Sequence, residues 1–212
     1  MGKPYVPALR FKFLTPLYDP LLRWGMREIT FKRRLIEAAR SLPGWRVLDL
    51  GCGTATLTIL LEQTHPSAEV IGIDGAPTIL EIGHAKVAQR NMNITLDQGM
   101  AFDLPYDSDS FDRVLSSLVI HHLTAEDKQR AFDEAFRVLK SGGELLVLDF
   151  GKPHNPLAWL ISLVMRRLER TEDNILGRLP EMIRTAGFQS VQTIKQFMSV
   201  FGTLALYRGR KP

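Results

Sequence analysis

The chain has 212 residues, 45% of them hydrophobic and 24% charged, the make-up of one ordinary globular domain with a sizeable core. Its single cysteine, Cys52, excludes an internal disulfide and a zinc site built on several thiolates, and fits a reducing cytoplasm. No apolar run approaches the ~18 residues of a membrane span, and the amino terminus lacks the apolar core expected of a signal peptide.

The net charge of +4 is unevenly placed. Arg10, Lys12, Arg23, Arg27, Lys32, Arg33 and Arg34 crowd the first segment, and Arg166, Arg167 and Arg170 follow an apolar run. These are either solvated helix faces or a basic rim that meets an acidic substrate or an anionic membrane surface, the latter placing the protein peripherally at the inner membrane. Nucleic acid is not expected as a partner, because no aromatic stacking series accompanies the charges.

In chain order, Tyr18 to Arg40 reads as one or two amphipathic helices closed by Pro43-Gly44. Arg46 to Leu50 is an apolar strand, followed at once by a glycine turn and a helix from Thr54 to Gln63 that His65-Pro66 ends. Glu69 to Ile73 is a second strand, and Pro77 opens a helix reaching Arg90. Asn93 to Gln98 makes a short third strand, and the turn formers of 105–110 make a loop. Phe111 to Val119 is a strand suited to burial on both faces. Thr124 then caps a helix, with Asp127 in the capping-box position, and Ser141-Gly142-Gly143 is expected to stop it before a fifth strand, Glu144 to Phe150. Pro156 to Met165 is apolar almost all round and needs a cover. Asp173 to Ala186 reads as one helix, and Phe188 to Arg208 as an antiparallel hairpin.

The alternation of strand and helix predicts an α/β fold, a doubly wound seven-stranded and mostly parallel sheet with an antiparallel carboxyl-terminal hairpin. The whole chain, 1–212, is expected to form a single domain. It comprises a helical cap (1–43), a cofactor-binding core (44–152), acceptor-side helices (153–187) and the hairpin (188–212).

The chemistry is read from Val47-Leu48-Asp49-Leu50-Gly51-Cys52-Gly53. A strand that turns directly into a helix needs φ/ψ values denied to residues with a Cβ, and bare backbone lets a ligand approach. Asp74, at the tip of the second strand, is placed to accept both hydroxyls of a ribose. A nucleoside-containing cofactor follows. A dinucleotide would want a third glycine where Thr56 stands, and Asp49 is an awkward neighbour for a pyrophosphate. A cationic cofactor without phosphate suits the acidic surroundings better.

Asp49-x-Gly51-x-Gly53 resembles the first motif of class I S-adenosylmethionine-dependent methyltransferases, with Ala55 at the place of a frequent third glycine, where it should crowd the loop only slightly. Gln98-Gly-Met-Ala-Phe-Asp-Leu-Pro105, Phe111-Asp112-Arg-Val-Leu-Ser-Ser-Leu and Arg137-Val-Leu-Lys-Ser-Gly-Gly-Glu are similar to later segments of that family at matching spacing. The resemblance implies a Rossmann-like methyltransferase fold and S-adenosyl-L-methionine as cofactor. It implies that Asp49, Gly51, Cys52 and Gly53 shape the methionine end, with Ser117 beside them. Asp74 and Gly75 would serve the ribose, and Ala101, Phe102 and Asp103 the adenine.

Tyr18-Asp19 and Asp149-Phe-Gly-Lys-Pro-His-Asn-Pro156 narrow the resemblance to small relatives of the ubiquinone/menaquinone-biosynthesis C-methyltransferases. Those proteins usually carry a Tyr-rich insertion where this chain has Thr171-Glu-Asp-Asn-Ile-Leu-Gly177. The apolar helix near Trp159 and the basic amino terminus favour a small or lipid-like acceptor, with a quinol ring carbon or a phospholipid amine as leading cases. A polar metabolite, or cofactor binding without turnover, is the alternative.

His121 and His122 follow the fourth strand at the edge where such sheets bind ligands, and either has the chemistry of a general base. On an extended segment they would face opposite ways, so one at most is expected to meet the acceptor. Tyr18 is a candidate to close over the cofactor, and His154 a weaker one on the acceptor side. No His/Cys/Asp cluster shows metal-ligand spacing, so no metal is expected.

Overall fold

The strand Arg46–Leu50 (β1) lies in the interior of a seven-stranded sheet in a computed structural model that describes residues 28–40, 43–168 and 171–212. Tyr18, Asp19 and most of the expected cap lie outside the described residues, and the described helical part of that region is Glu28–Ala39 (α1). After β1 come Thr56–Thr64 (α2), Glu69–Asp74 (β2), Pro77–Ala88 (α3) and Thr95–Gln98 (β3). Phe111–Ser117 (β4), Ala125–Val138 (α4) and Leu139–Phe150 (β5) complete the parallel part. Pro156–Leu168 (α5), Glu172–Ile175 (α6) and Leu179–Thr185 (α7) precede the strands Gln189–Ser199 (β6) and Gly202–Arg210 (β7).

The sheet order is β3-β2-β1-β4-β5-β7-β6, with β7 antiparallel to both its neighbours. The chain leaves β1 for β2 on one side and returns to β4 on the other. This reversal opens a crevice at the carboxyl ends of β1 and β4, where sheets of this kind bind ligands. Side chains alternate along each strand, and both faces of the inner strands β1, β4 and β5 are covered. Leu48, Leu50 and Val114 join Phe132 and Val138 of α4 on one face, while Val47, Leu115 and Leu146 join Leu35 of α1 and Leu57 of α2 on the other. Among the described residues no helix is long and apolar enough to cross a membrane.

Three segments depart from expectation. β4 ends at Ser117, two residues early, because Leu118 takes a left-handed φ of 60° and the chain enters a 3-10 turn at Ile120–His122. Ser141-Gly142-Gly143 does not stop α4; it lies inside β5. There Gly142 has φ 80° and donates its amide to Lys211 O, while a Cβ on Gly143 would sit 2.8 Å from Lys140 O. The glycines bend a strand that starts by pairing Leu139 with Phe111. The single helix expected over 173–186 is two, α6 and α7, parted at Gly177 with φ 75°. The carboxyl-terminal hairpin is present as read.

Candidate active site

The loop after β1 is held by its own backbone. The amides of Gly51 and Cys52 both donate to Ile73 O, at 2.8 and 2.9 Å, which fastens the loop to β2. Gly51 has φ 74°, and a Cβ there would lie 2.4 Å from Val119 Cγ2, so the segment after β4 closes directly onto the glycine. Gly53 has φ 55° and donates its amide to Asp74 Oδ2 at 2.9 Å; the Ala76 amide takes Oδ1 at the same distance. Each oxygen of this half-buried carboxylate keeps acceptor capacity beyond its one amide. Gly75 packs where a Cβ would meet Met100 Sδ at 2.6 Å.

Ala55 does more than crowd the loop slightly. It sits at φ 60°, fully buried, in a conformation that costs an alanine about 1–2 kcal/mol. Gly83 of α3 faces it, and a Cβ on Gly83 would be 3.4 Å from the Ala55 methyl and 3.1 Å from Leu96 Cδ1.

Asp49 shares the β1 face of Val47, is 1% exposed, and accepts the Thr58 hydroxyl at 2.7 Å. Burial pushes its carboxyl up to about 6, against the Thr58 hydrogen bond and the Lys32 charge. Burial, helped by the charges of Asp49 and Asp74, also pushes the Cys52 thiol well up, so it is a neutral packing group.

Ala101 and Phe102 are half-buried beside Asp103, which is exposed. The Arg130 guanidinium lies 4.9 Å over the Phe102 ring. Two residues of α4 hold this segment in place without having been legible as site residues. Glu134 accepts the Leu104 amide at 2.8 Å, and Arg137 donates to Leu104 O and Tyr106 O at 3.0 and 2.7 Å.

The 3-10 turn changes the expectation for the histidines. Instead of facing opposite ways, the His121 and His122 rings lie side by side, centroids 3.9 Å apart. His122 is half-buried and His121 is 6% exposed. His121 Nδ1 is 2.8 Å from Asp149 Oδ1, and its backbone amide donates to Oδ2 at 3.3 Å. Asp149, at the end of β5 and fully buried, also accepts the Phe150 amide and Asn174 Nδ2, at 2.7 and 3.1 Å. Burial alone would raise its pKa. The His121 ring, by charge and hydrogen bond, and then the Phe150 amide outweigh that and hold the carboxyl below its ordinary value.

Asp149 and Asn174 were not read as site residues. Sequence reasoning places Asp149 only in the segment that follows the fifth strand, and Asn174 only in the segment 171–177. Ser117 Oγ, next to the turn, is buried without a hydrogen-bond partner among the described residues. His154 is turned to structure: its Nδ1 meets Thr203 Oγ1 at 2.8 Å and ties the start of α5 to β7. A surface groove of about 500 Å³ lined by Arg33, Ile36, Arg40, Leu60 and His65 lies beside the carboxyl ends of α1 and α2 and contains none of these residues.

A doubly wound sheet with a bare glycine loop at its crevice, tied to an acid at the next strand tip, defines a nucleoside-cofactor protein. A family model described as a methyltransferase domain matches residues 47–143. The chain is similar to the demethylmenaquinone methyltransferase of Thermus thermophilus, 30% identical over 95% of this chain and 100% of that one. It is 31% identical to the ubiquinone/menaquinone biosynthesis C-methyltransferase UbiE of Vibrio campbellii, over 92% of this chain and 82% of that one. The fold of Haemonchus contortus phosphoethanolamine N-methyltransferase 2, solved with S-adenosyl-L-methionine, matches with a TM-score of 0.70 at 16% identity over 86% of this chain and 52% of that one. The chain belongs to the class I S-adenosylmethionine-dependent methyltransferases: it is an enzyme, and S-adenosylmethionine is its cofactor.

Proposed function

We propose that the acceptor is lipid-like and gives up a proton when methylated, and that a quinol ring carbon fits best. The observation that carries this reading is the His121 imidazole, held on a buried carboxylate at the carboxyl edge of β4. The demethylmenaquinone methyltransferase similarity, spanning nearly the whole of both chains, points to the same acceptor class.

The chain's residues fit the cofactor. The glycine loop presents backbone without Cβ atoms, Asp74 has acceptor capacity to spare, and Ser117 Oγ is an orphaned hydroxyl at the same edge. When bound, S-adenosylmethionine supplies a methyl carbon on a cationic sulfur. The segment Gly51, Cys52 and Gly53 would receive its amino-acid end, with Asp49 and Ser117 contributing to that part of the site. Asp74 would take the ribose hydroxyls, with Gly75 packed against Met100 beside it. Ala101 and Phe102 would flank the adenine, and Asp103 would accept from its amine. Much of the catalysis is then orientation. His121 Nε2 takes the proton of the acceptor hydroxyl, which leaves the neighbouring ring carbon electron-rich. His122 lines the acceptor side.

The exposed apolar side chains of α5, with basic residues following in sequence, support peripheral contact with an anionic membrane from which such an acceptor is drawn. The test is transfer of labelled methyl to a membrane-lipid extract and to a polar-metabolite extract, with the lipid products separated. Label in the quinol fraction supports the reading. Label in a phospholipid amine replaces the ring carbon with nitrogen, and label only in the polar extract overturns the lipid acceptor.

A further inference from the structure

We infer that Asp149, steadied by Asn174, is a positioning residue that fixes the His121 ring with its proton on Nδ1 and its lone pair on Nε2. The inference rests on the reading of His121 as the base.

One carboxylate grips His121 twice, at the ring through Oδ1 and at the backbone amide through Oδ2. Oδ1 also accepts from the Phe150 amide and Asn174 Nδ2, so three donors converge on it. An ionised carboxylate has only acceptor capacity, so the histidine nitrogen facing it must carry the hydrogen. In the neutral ring that leaves Nε2 as the acceptor. The ring has little freedom to turn, because the Phe150 ring stands nearly perpendicular to it with centroids 4.8 Å apart, and the His122 ring centroid lies 3.9 Å away.

Asn174 acts one step further out. It sits in the one-turn helix α6, fully buried, and its Nδ2 donates to Asp149 while its Oδ1 has no partner among the described residues. A carboxamide left half-satisfied is costly, so its orientation is decided by the bond it does make. This contact joins the β5 end to the segment between α5 and α7, so the acceptor-side chain helps to set the base.

The test is long-range nitrogen–proton NMR of the cofactor-free protein labelled in histidine, read beside steady-state kinetics. For His121 the wild type should show Nδ1 protonated and Nε2 unprotonated. Asp149→Ala should shift the ring toward the Nε2-protonated form, which predominates for imidazole in water. Asp149→Asn, which keeps the shape and removes the charge, should lower kcat on the order of 100-fold with little change in either KM. Asn174→Leu should give a smaller kcat loss in the same direction.

A wild-type ring protonated on Nε2 overturns the inference, as does an Asp149→Asn enzyme with unchanged kcat. If Asp149→Ala fails to bind cofactor by calorimetry, the wild-type spectrum and the Asp149→Asn kinetics still decide. Full activity of His121→Ala would remove His121 as the base while leaving the Nδ1 proton assignment intact, so the two failures are told apart.

Discussion

The Asp74 carboxylate accepts the Gly53 amide at 2.9 Å, so the acid at the tip of β2 also pins the loop that closes β1. The Ala76 amide holds the other oxygen, which sets the plane of the carboxylate before any ligand arrives. A group fixed by the protein in this way loses little freedom on binding.

Asp74→Ala should therefore weaken S-adenosylmethionine binding by roughly 1–3 kcal/mol, about 5- to 150-fold, because it removes the ribose acceptor and releases the loop. Asp74→Asn, which keeps one acceptor oxygen, should fall between the two. Calorimetric titration measures both. Unchanged affinity in Asp74→Ala would show that the ribose is held elsewhere.

Gly51 should not tolerate a methyl group. Its left-handed φ costs alanine about 1–2 kcal/mol, and the overlap with Val119 adds a comparable amount. Gly51→Ala should lower the Tm by roughly 10 °C for a chain of this size. Val119→Ala in the same chain should restore part of that loss by removing the overlap and leaving the φ cost. Strictly additive unfolding energies in the double-mutant cycle would mean that the Val119 contact is not what the glycine serves.

These two sites were legible because their signals are local. A strand, two glycines and an acid twenty positions on are all read within one βαβ unit, and the structure brings Gly51, Gly53 and Asp74 together as expected. Asp149 was not legible as a partner, since it meets His121 only through the neighbouring registers of β4 and β5, 28 positions apart in sequence. The histidine pair was misjudged because a single left-handed residue, Leu118, ends the strand before them. Ser141-Gly142-Gly143 carries a good helix-stop pattern, yet Lys211 pairs with the Gly142 amide and the Gly143 carbonyl and satisfies those backbone groups inside a strand. Ala55 hid its left-handed conformation because alanine gives no sign of it in sequence, and its counterpart Gly83 lies far along the chain.

Asp49 should give stability a particular pH dependence. Its folded-state value of about 6 stands above the ordinary 3.8, so between pH 4 and 6 the native state binds more protons than the unfolded one. Its contribution is fully present below pH 4 and is lost as pH rises through 6, about 3 kcal/mol in all. Asp49→Asn removes that dependence while leaving an acceptor for the Thr58 hydroxyl. Urea unfolding should show the variant near wild type at pH 4 and more stable by up to about 3 kcal/mol at pH 7.5. A difference that does not change with pH would mean that Asp49 is ionised in the folded protein throughout.

The apolar face of α5 makes the last prediction. Leu157, Trp159 and Leu160 are 60%, 58% and 58% exposed, while Ala158 is buried on the opposite side. Met198, near the β6–β7 turn, extends this face, since Asn155 at the start of α5 reaches its sulfur at 3.8 Å. Each of these side chains would gain on the order of 1 kcal/mol by entering a lipid interface, from the apolar area still open to water. Trp159→Ser with Leu160→Ser should then reduce sedimentation with vesicles containing anionic phosphatidylglycerol by roughly 10- to 100-fold. Both side chains stand in solvent, so cofactor affinity and Tm should stay at wild-type values. Raising the salt concentration should weaken the wild-type interaction as well, because the basic residues after the apolar run act through screened charge. Equal sedimentation of the double variant and the wild type would remove the membrane as the partner of this face, and with it one of the supports for a lipid acceptor.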